Sequence, residues 1–247
     1  VTRLSSITIT GNEAANIAAC LDSLAFCDER VVVDGGSKDD TVAIAEAHGA
    51  TVYHHAWTDH GTQKNIALSH ATGEWVLLLD ADERVTPALA AQIKEAMDNP
   101  VADGYEMPRL STFCGREMWH SGWYPDYVLR LFRRTKGKFS PDLVHTRVIC
   151  DGKVARLTEP LLHFPVDRME AALSRMDRYS TAGAEMIRSS GKRVGFGTAL
   201  GHGLFAFFKV YFLRAGFLDG KEGFMLAVVN AEGAYYKYLK AWLAQRA

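Results

Sequence analysis

Three carboxylates, Asp80, Asp82 and Glu83, close the apolar run in WVLLLDADERV (residues 75–85). Acids placed together repel, and burying even one without compensation is costly. The segment therefore asks for positive charge or water: a cation, a basic side chain, or an exposed loop. Asp80 and Asp82 share one face if the chain stays extended. Two more acid-bearing segments follow apolar runs, GNE (11–13) and DGGSKDDT (34–41). Each has an ordinary explanation. Asp34 can cap a turn that Gly35 and Gly36 permit, and Glu13 can favour a helix N-terminus. Together they suit a nucleotide bound through Mg²⁺ or Mn²⁺, which takes hard oxygens, commonly one or two carboxylates plus phosphate oxygens. Asp34 can accept from a base edge or a ribose hydroxyl, and the two glycines let backbone approach closely. Neither GxGxxG nor GxxxxGK[ST] occurs, which speaks against dinucleotide and P-loop readings.

These acids need strands to bring them together. LSSITIT (4–10), RVVVD (30–34), TVYHH (51–55) and EWVLLLD (74–80) read as four strands. Helical spacing fills the intervals at 12–25, 39–48 and 62–71, and Thr86-Pro87 starts a further helix that runs to about Met97. Repeated βα units imply a mostly parallel sheet with helices on both faces, with ligands at the carboxyl ends of its strands. Past residue 100 the strand-like stretches DGYEMPRLSTF, YVLRLFRR, LVHTRVI and KVARL have no helices between them, and from Asp167 the pattern is helical and rich in aromatics. The expected division is a nucleotide-binding α/β half over 1–105, further strands and loops of the same domain over 106–166, and a helical, membrane-proximal region over 167–247.

The chain has 247 residues, 48% hydrophobic composition and a net charge of -1, so it offers no electrostatic footprint for nucleic acid. Its four cysteines make neither a CxxC pair nor a zinc spacing and read as reduced thiols of a cytoplasmic protein. No signal peptide is read at the start. The greasiest region, 197–218, is interrupted by His202, Lys209 and Arg214, so it reads as an interfacial rather than a spanning segment.

The segments ITITGNEAANIAACLDSL, VVVDGGSKDDT and GTQKNIALSHATGEWVLLLDADE resemble the nucleotide-sugar domain of family 2 inverting glycosyltransferases, the GT-A fold. The resemblance implies a Rossmann-like α/β sheet followed by a C-terminal helical region. It implies nucleotide-sugar contacts from Thr10, Asn12, Glu13, Asp34, Gly36, Gln63, Lys64, Asn65, Asp80 and Ala81, and a divalent cation on Asp82 and Asp80. Asp34 would recognise the nucleoside. GWYPDYVLRLFRR, LLHF and FLRAGFLDGKEGFMLAVVNAEGAYYKYLK are similar to the β-1,4-glucosyltransferase-like branch of lipopolysaccharide core assembly, although Thr146 stands where that branch usually has an acid after Val-His.

The reading that follows is transfer of a hexose, glucose from UDP-glucose by resemblance, to a hydroxyl of a lipopolysaccharide core or other lipid-linked acceptor at the inner face of the cytoplasmic membrane. An attacking hydroxyl needs a base. Asp126 is the first choice, Asp142 the rival, and His145 can take the proton or meet the diphosphate. A phosphohydrolase with Asp80 as nucleophile and a non-catalytic nucleotide-sugar scaffold are the alternatives. His163 reads as an ordinary buried histidine, and His54, His55 and His60 as turn residues. Trp119, Trp123 and Tyr124 divide evenly between core and a loop over a sugar pocket. Arg130, Arg133 and Arg134 read as edge charges or as partners of an acceptor phosphate.

Overall fold

A computed structural model describes residues 3–140 and 147–246. In its first part β1 (Leu4–Thr10), α1 (Ile17–Ser23), β2 (Glu29–Asp34), α2 (Thr41–Ala47), β3 (Thr51–His54), α3 (His60–His70) and β4 (Trp75–Leu78) alternate as expected. Then come β5 (Glu83–Val85), α4 (Pro87–Asp98), β6 (Gly104–Phe113), β7 (Arg116–Glu117), β8 (Asp126–Arg133), β9 (Gly137–Phe139), β10 (Val148–Cys150), β11 (Val154–Arg156) and β12 (Leu161–Val166). The helices α5 (Met169–Ser189), α6 (Phe196–Phe208) and α7 (Gly220–Ala244) follow, with a π-helical segment Lys209–Leu213 and a 3-10 turn Gly216–Asp219 between the last two. The chain divides into two compact units: residues 1–109 with 126–163, and residues 110–125 with 164–247.

The main sheet runs β3-β2-β1-β4-β8-β6-β12-β5. Pairing is parallel from β3 to β4 and antiparallel where β8 joins β4 and β6. Alternation along the strands serves two apolar layers. Val32, Leu77 and Leu79 pack with Ile17 and Leu21 of α1 and with Leu89 and Ile93 of α4, while Val31, Val33, Val76 and Leu78 pack with Ala67 of α3. Burial on both faces explains why β2 and β4 read as continuous apolar runs. Thr86 caps α4 by accepting from the Leu89 amide at 3.1 Å, with Pro87 behind it, as the sequence predicts.

Several strands escape the periodicity. β5, β7 and β9 are two or three residues long, too short to show a pattern; β5 pairs with the distant β12, and β7 and β9 pair antiparallel with their chain neighbours β6 and β10. The helix expected at 12–25 is confined to Ile17–Ser23, because Asn12 takes a left-handed φ of 58° and the backbone turns before the helix begins.

The second unit is helical around a small core of Phe113, Met118, Val166, Ala172 and Leu226. Phe196–Leu213 is long and apolar enough to cross a membrane by length and composition, with 17% of it buried. Leu204, Phe205, Phe212 and Leu213 on this stretch are more than half exposed.

All four cysteines are free. Burial pushes the Cys20 and Cys27 thiols up to about 12, so almost no thiolate exists at pH 8. Iodoacetamide at pH 8 is expected to spare both in the native protein and to modify them once denaturant is added. Peptide mass spectrometry checks this, and native labelling of Cys20 as fast as that of half-buried Cys150 would contradict it.

Candidate functional site

Strand direction gathers the charged residues. β8 runs antiparallel to β4, so its first residues reach past the carboxyl end of β4, and β6 returns beside it with Arg109 opposite Asp126. After β4 the chain does not stay extended. Glu83 N–H donates to the Asp80 carbonyl at 2.9 Å, and Asp80 N–H donates to Glu83 Oε2 at 3.1 Å, making a tight turn. The turn sends Asp80 and Asp82 to different partners, which corrects the expectation of one shared face.

Asp80 meets two cations. Lys64 Nζ lies 2.7 Å from Oδ1 and an Arg130 terminal nitrogen 2.8 Å from Oδ2. The same Arg130 nitrogen lies 2.7 Å from Oε1 of Glu83, which is fully buried, and Arg109 reaches that oxygen at 3.3 Å. Arg109 also donates twice to Oδ2 of Asp126, at 2.6 and 3.0 Å. Three carboxylates thus alternate with three cations. Burial alone would raise the Asp80 carboxyl, but Lys64 and Arg130 outweigh it and hold the group far below the usual carboxylate range. Arg130, also buried, is pushed up by Glu83 and Asp80. The positive charge that the acids demanded is built into the protein. Arg130 is therefore neither an edge charge nor a free phosphate ligand. Arg133 is spent on Glu74 and the Trp75 ring, and Arg134 on the Gly73 carbonyl.

Asp82 turns the other way, where Oδ2 lies 3.4 Å from His163 Nε2. Burial works against its charged form, and the His163 contact overrides this and lowers its pKa. His163 is thus a partner of Asp82 and not the ordinary buried histidine that the sequence suggests. It is placed by antiparallel pairing of β12 with β5, which sets it opposite Glu83. A three-residue strand gives no sequence signal for that register. A carboxylate and an imidazole are both donors that a divalent cation accepts, so Asp82 and His163 are the residues that could hold one. Asp80, expected as a second metal ligand, has both oxygens engaged. Among the described residues no three His, Cys, Asp or Glu side chains converge as a ready-made metal site.

At the end of β2, Asp34 is buried and accepts from the Gly36 and Ser37 amides at 2.9 and 3.0 Å and from the Ser37 hydroxyl at 2.5 Å. These bonds more than offset its burial and lower its pKa, with His54 at 3.6 Å adding to them. Gly36 has φ 102°, and a Cβ on Gly35 would stand 2.8 Å from the Trp57 ring, so both glycines are required by the turn. Asn12 ties the β1 loop to this one, accepting from the Lys38 amide at 2.9 Å. Glu13 accepts from Asn16 at 2.8 Å, and its amide donates to Thr41. Thr10 is buried with its hydroxyl unpartnered. Buried Gln63 donates to the His55 and Ala56 carbonyls and leaves its own carbonyl oxygen unpartnered. Asn65 points elsewhere: it clamps the Phe139 backbone of β9 through two bonds. Ala81 is buried, and its carbonyl accepts from Arg84 at 2.6 Å. Asp142, His145 and Thr146 lie outside the described residues.

In the second unit, buried Asp219 accepts from the Ser121 hydroxyl at 2.7 Å and lies 3.1 Å from His120 Nδ1. This contact joins MWHSGW to the distant GFLDG, and neither segment reveals it alone. Trp123 packs at 5.9 Å on Phe113 in the core, whereas Trp119 is 45% exposed and meets Tyr124 edge-on.

A parallel α/β sheet with acid-bearing loops at its carboxyl edge, joined by antiparallel strands that neutralise them, is an architecture of GT-A type. Residues 5–156 match Glycosyl transferase family 2, and the chain belongs to that family. It is a glycosyltransferase. It is 32% identical over 253 residues to the lipopolysaccharide core biosynthesis glycosyltransferase LpsC of Rhizobium meliloti (strain 1021), covering 96% of this chain and 90% of the relative. Among solved structures, S. aureus TarS 1-349 aligns over 99% of this chain and 91% of its own at 15% identity and TM-score 0.48. Glucosyl-3-phosphoglycerate synthase from Mycobacterium tuberculosis, in complex with Mg²⁺ and uridine diphosphate, aligns over 43% of each chain at 24% identity and TM-score 0.38.

Removing Glu83 leaves Arg130 buried and under-compensated, so Glu83→Gln is expected to cost about 3–5 kcal/mol in urea unfolding, with a cost below about 1 kcal/mol contradicting the network. For Asp80 the folded pKa is depressed. Its stabilisation is full above the unfolded value of about 3.9 and is lost as pH falls through the folded one. The stability gap between wild type and Asp80→Asn should stay level from pH 7 to about 4 and shrink below that.

Proposed function

We propose that the protein transfers a hexose, with UDP-glucose as the donor, to a hydroxyl of a lipopolysaccharide core or similar lipid-linked glycan, with inversion at the anomeric carbon. The observation that carries this reading is the carboxyl edge of the sheet, where Asp34 with its glycine turn and the Asp82–His163 pair flank a neutralised ion network. Asp34 serves the nucleoside side. Thr10, Asn12, Glu13, Gly36, Gln63 and Ala81 form or brace the walls of the nucleotide site. Asp82 and His163 hold the divalent cation, which when bound offsets charge on the leaving diphosphate. Lys64 and Arg130 fix Asp80 in the turn that presents Asp82. Asn65 supports the site indirectly by anchoring β9. The similarity to LpsC, a lipopolysaccharide core biosynthesis glycosyltransferase, supports a lipopolysaccharide-type acceptor.

Asp126 is the proposed base. Arg109 occupies only Oδ2 and fixes the carboxylate, which is about half exposed, so Oδ1 remains for the acceptor proton. Asp142 and His145 are its rivals. A phosphohydrolase using Asp80 as nucleophile is disfavoured because both of its oxygens are held by cations.

Calorimetry with UDP-glucose and Mn²⁺ tests the donor site. Asp82→Ala and His163→Ala are each expected to abolish the Mn²⁺-dependent part of binding, and unchanged affinity in both would sink the cation site. Asp34→Asn should weaken UDP more than pyrophosphate, and equal losses would count against its nucleoside role. Asp126→Asn should lower kcat by about 10²–10⁴-fold with donor affinity nearly intact. Near-normal turnover, with collapse in Asp142→Asn, would move the base to Asp142.

The exposed apolar face of 196–213 supports peripheral docking on an anionic membrane face, with Lys209 and Arg214 at the headgroups. Flotation with phosphatidylglycerol vesicles should carry the protein to the top of the gradient. Absence of binding, together with turnover of a water-soluble acceptor that no lipid enhances, would refute it.

A further inference from the structure

A cavity of about 640 Å³ opens within the second unit, among α5, α6 and α7. That volume falls in the usual range for small-molecule sites, ~300–1,000 Å³. Phe113, Val166 and Leu226 of the buried core give it an apolar floor. The rest of its lining includes Arg175, Lys209, Arg214 and Lys237, with no Asp or Glu among the described residues. Arg175 donates to the Pro165 carbonyl at 3.0 Å. Lys209, Arg214 and Lys237 form no ion pair with any described carboxylate. Lys209 and Arg214 are exposed and Lys237 is half-buried, so the lining sets basic side chains open to solvent beside an apolar floor, with no acidic partner among the described residues.

We infer that this cavity binds a phosphate-bearing membrane lipid, with an acyl chain on the Phe113–Val166–Leu226 floor and the phosphate among Lys209, Arg214 and Lys237. Charge complementarity selects this occupant. Several like charges around one cavity repel until an anion joins them, and phosphate oxygens take charge-assisted bonds from Lys and Arg. A free anion would leave the apolar floor wet, and a neutral chain would leave the cations unmatched. The route of entry is also built in. Ala206, Lys209 and Val210 line the cavity, while Leu204, Phe205, Phe212 and Leu213 of the same helical stretch are exposed, an apolar surface suited to the acyl boundary of a bilayer. Assigning this lipid as the anchored end of the acceptor rests on the function proposed above, whereas the binding site itself does not.

The test uses dihexanoyl phosphatidic acid below its micellar concentration, titrated calorimetrically into the full chain. Dihexanoylglycerol and inorganic phosphate serve as the chain-only and anion-only probes. Phosphatidic acid is expected to bind at least about tenfold more tightly than either. Lys209→Gln/Lys237→Gln should weaken it by about tenfold or more, the equivalent of losing a charge-assisted hydrogen bond. Gly233→Leu, which fills the cavity beside Met176, should abolish it. Thermal midpoints and UDP–Mn²⁺ binding should stay at wild-type values in variants that fold. Equal affinity for inorganic phosphate or dihexanoylglycerol, or phosphatidic acid binding unchanged in the folded lysine double variant, would overturn the site. Loss of UDP binding by the wild-type protein with phosphatidic acid binding retained would refute the donor reading and leave this site standing.

Discussion

The carboxyl edge of the sheet depends on one charge-balanced network, Lys64–Asp80–Arg130–Glu83–Arg109–Asp126. Its members come from α3, the turn after β4, β5, β6 and β8. A fully buried glutamate is affordable only because two arginines share its oxygen, and those arginines are there only because β6 and β8 run beside the parallel strands. The network therefore couples the parallel half of the sheet to its antiparallel half. Desolvation consumes much of the Coulombic gain, so breaking the network costs more than forming it contributes. What it specifies is geometry: Asp80 is pinned, the turn closes, and Asp82 is aimed at His163.

This arrangement divides the acids by role. Asp80 and Glu83 partner the buried cations, Asp82 pairs with His163, and Asp34 shapes its own loop at the end of β2. Two carboxylates one residue apart thus take separate partners, Asp80 the cations Lys64 and Arg130, Asp82 the imidazole of His163. The difference arises from a turn of four residues, in which Glu83 and Asp80 exchange backbone and side-chain bonds.

The helical unit follows another logic. Its core is small, its longest apolar stretch is mostly exposed, and its cavity is basic. An anionic lipid surface is the environment proposed for that combination. On the function proposed above, the enzyme draws one substrate from solution and the other from a membrane.

The sequence by itself determined the βα alternation, because strands buried on both faces must be apolar throughout and their helices carry caps such as Thr86-Pro87. It also determined which loops carry the acids, and the family to which those motifs belong. It did not reveal that Lys64, Arg109 and Arg130 answer the acids, that His163 pairs with Asp82, that Asn65 serves β9, or that Asp219 meets His120. Each of these contacts joins residues far apart in the chain. Each depends on a strand register or turn, and the short strands β5 and β12 or the single reversal at Asp80 leave no periodic trace. Local propensity fixes elements that form within a few residues. Charge pairing across 47 residues, as between Glu83 and Arg130, exists only once the sheet has chosen its order.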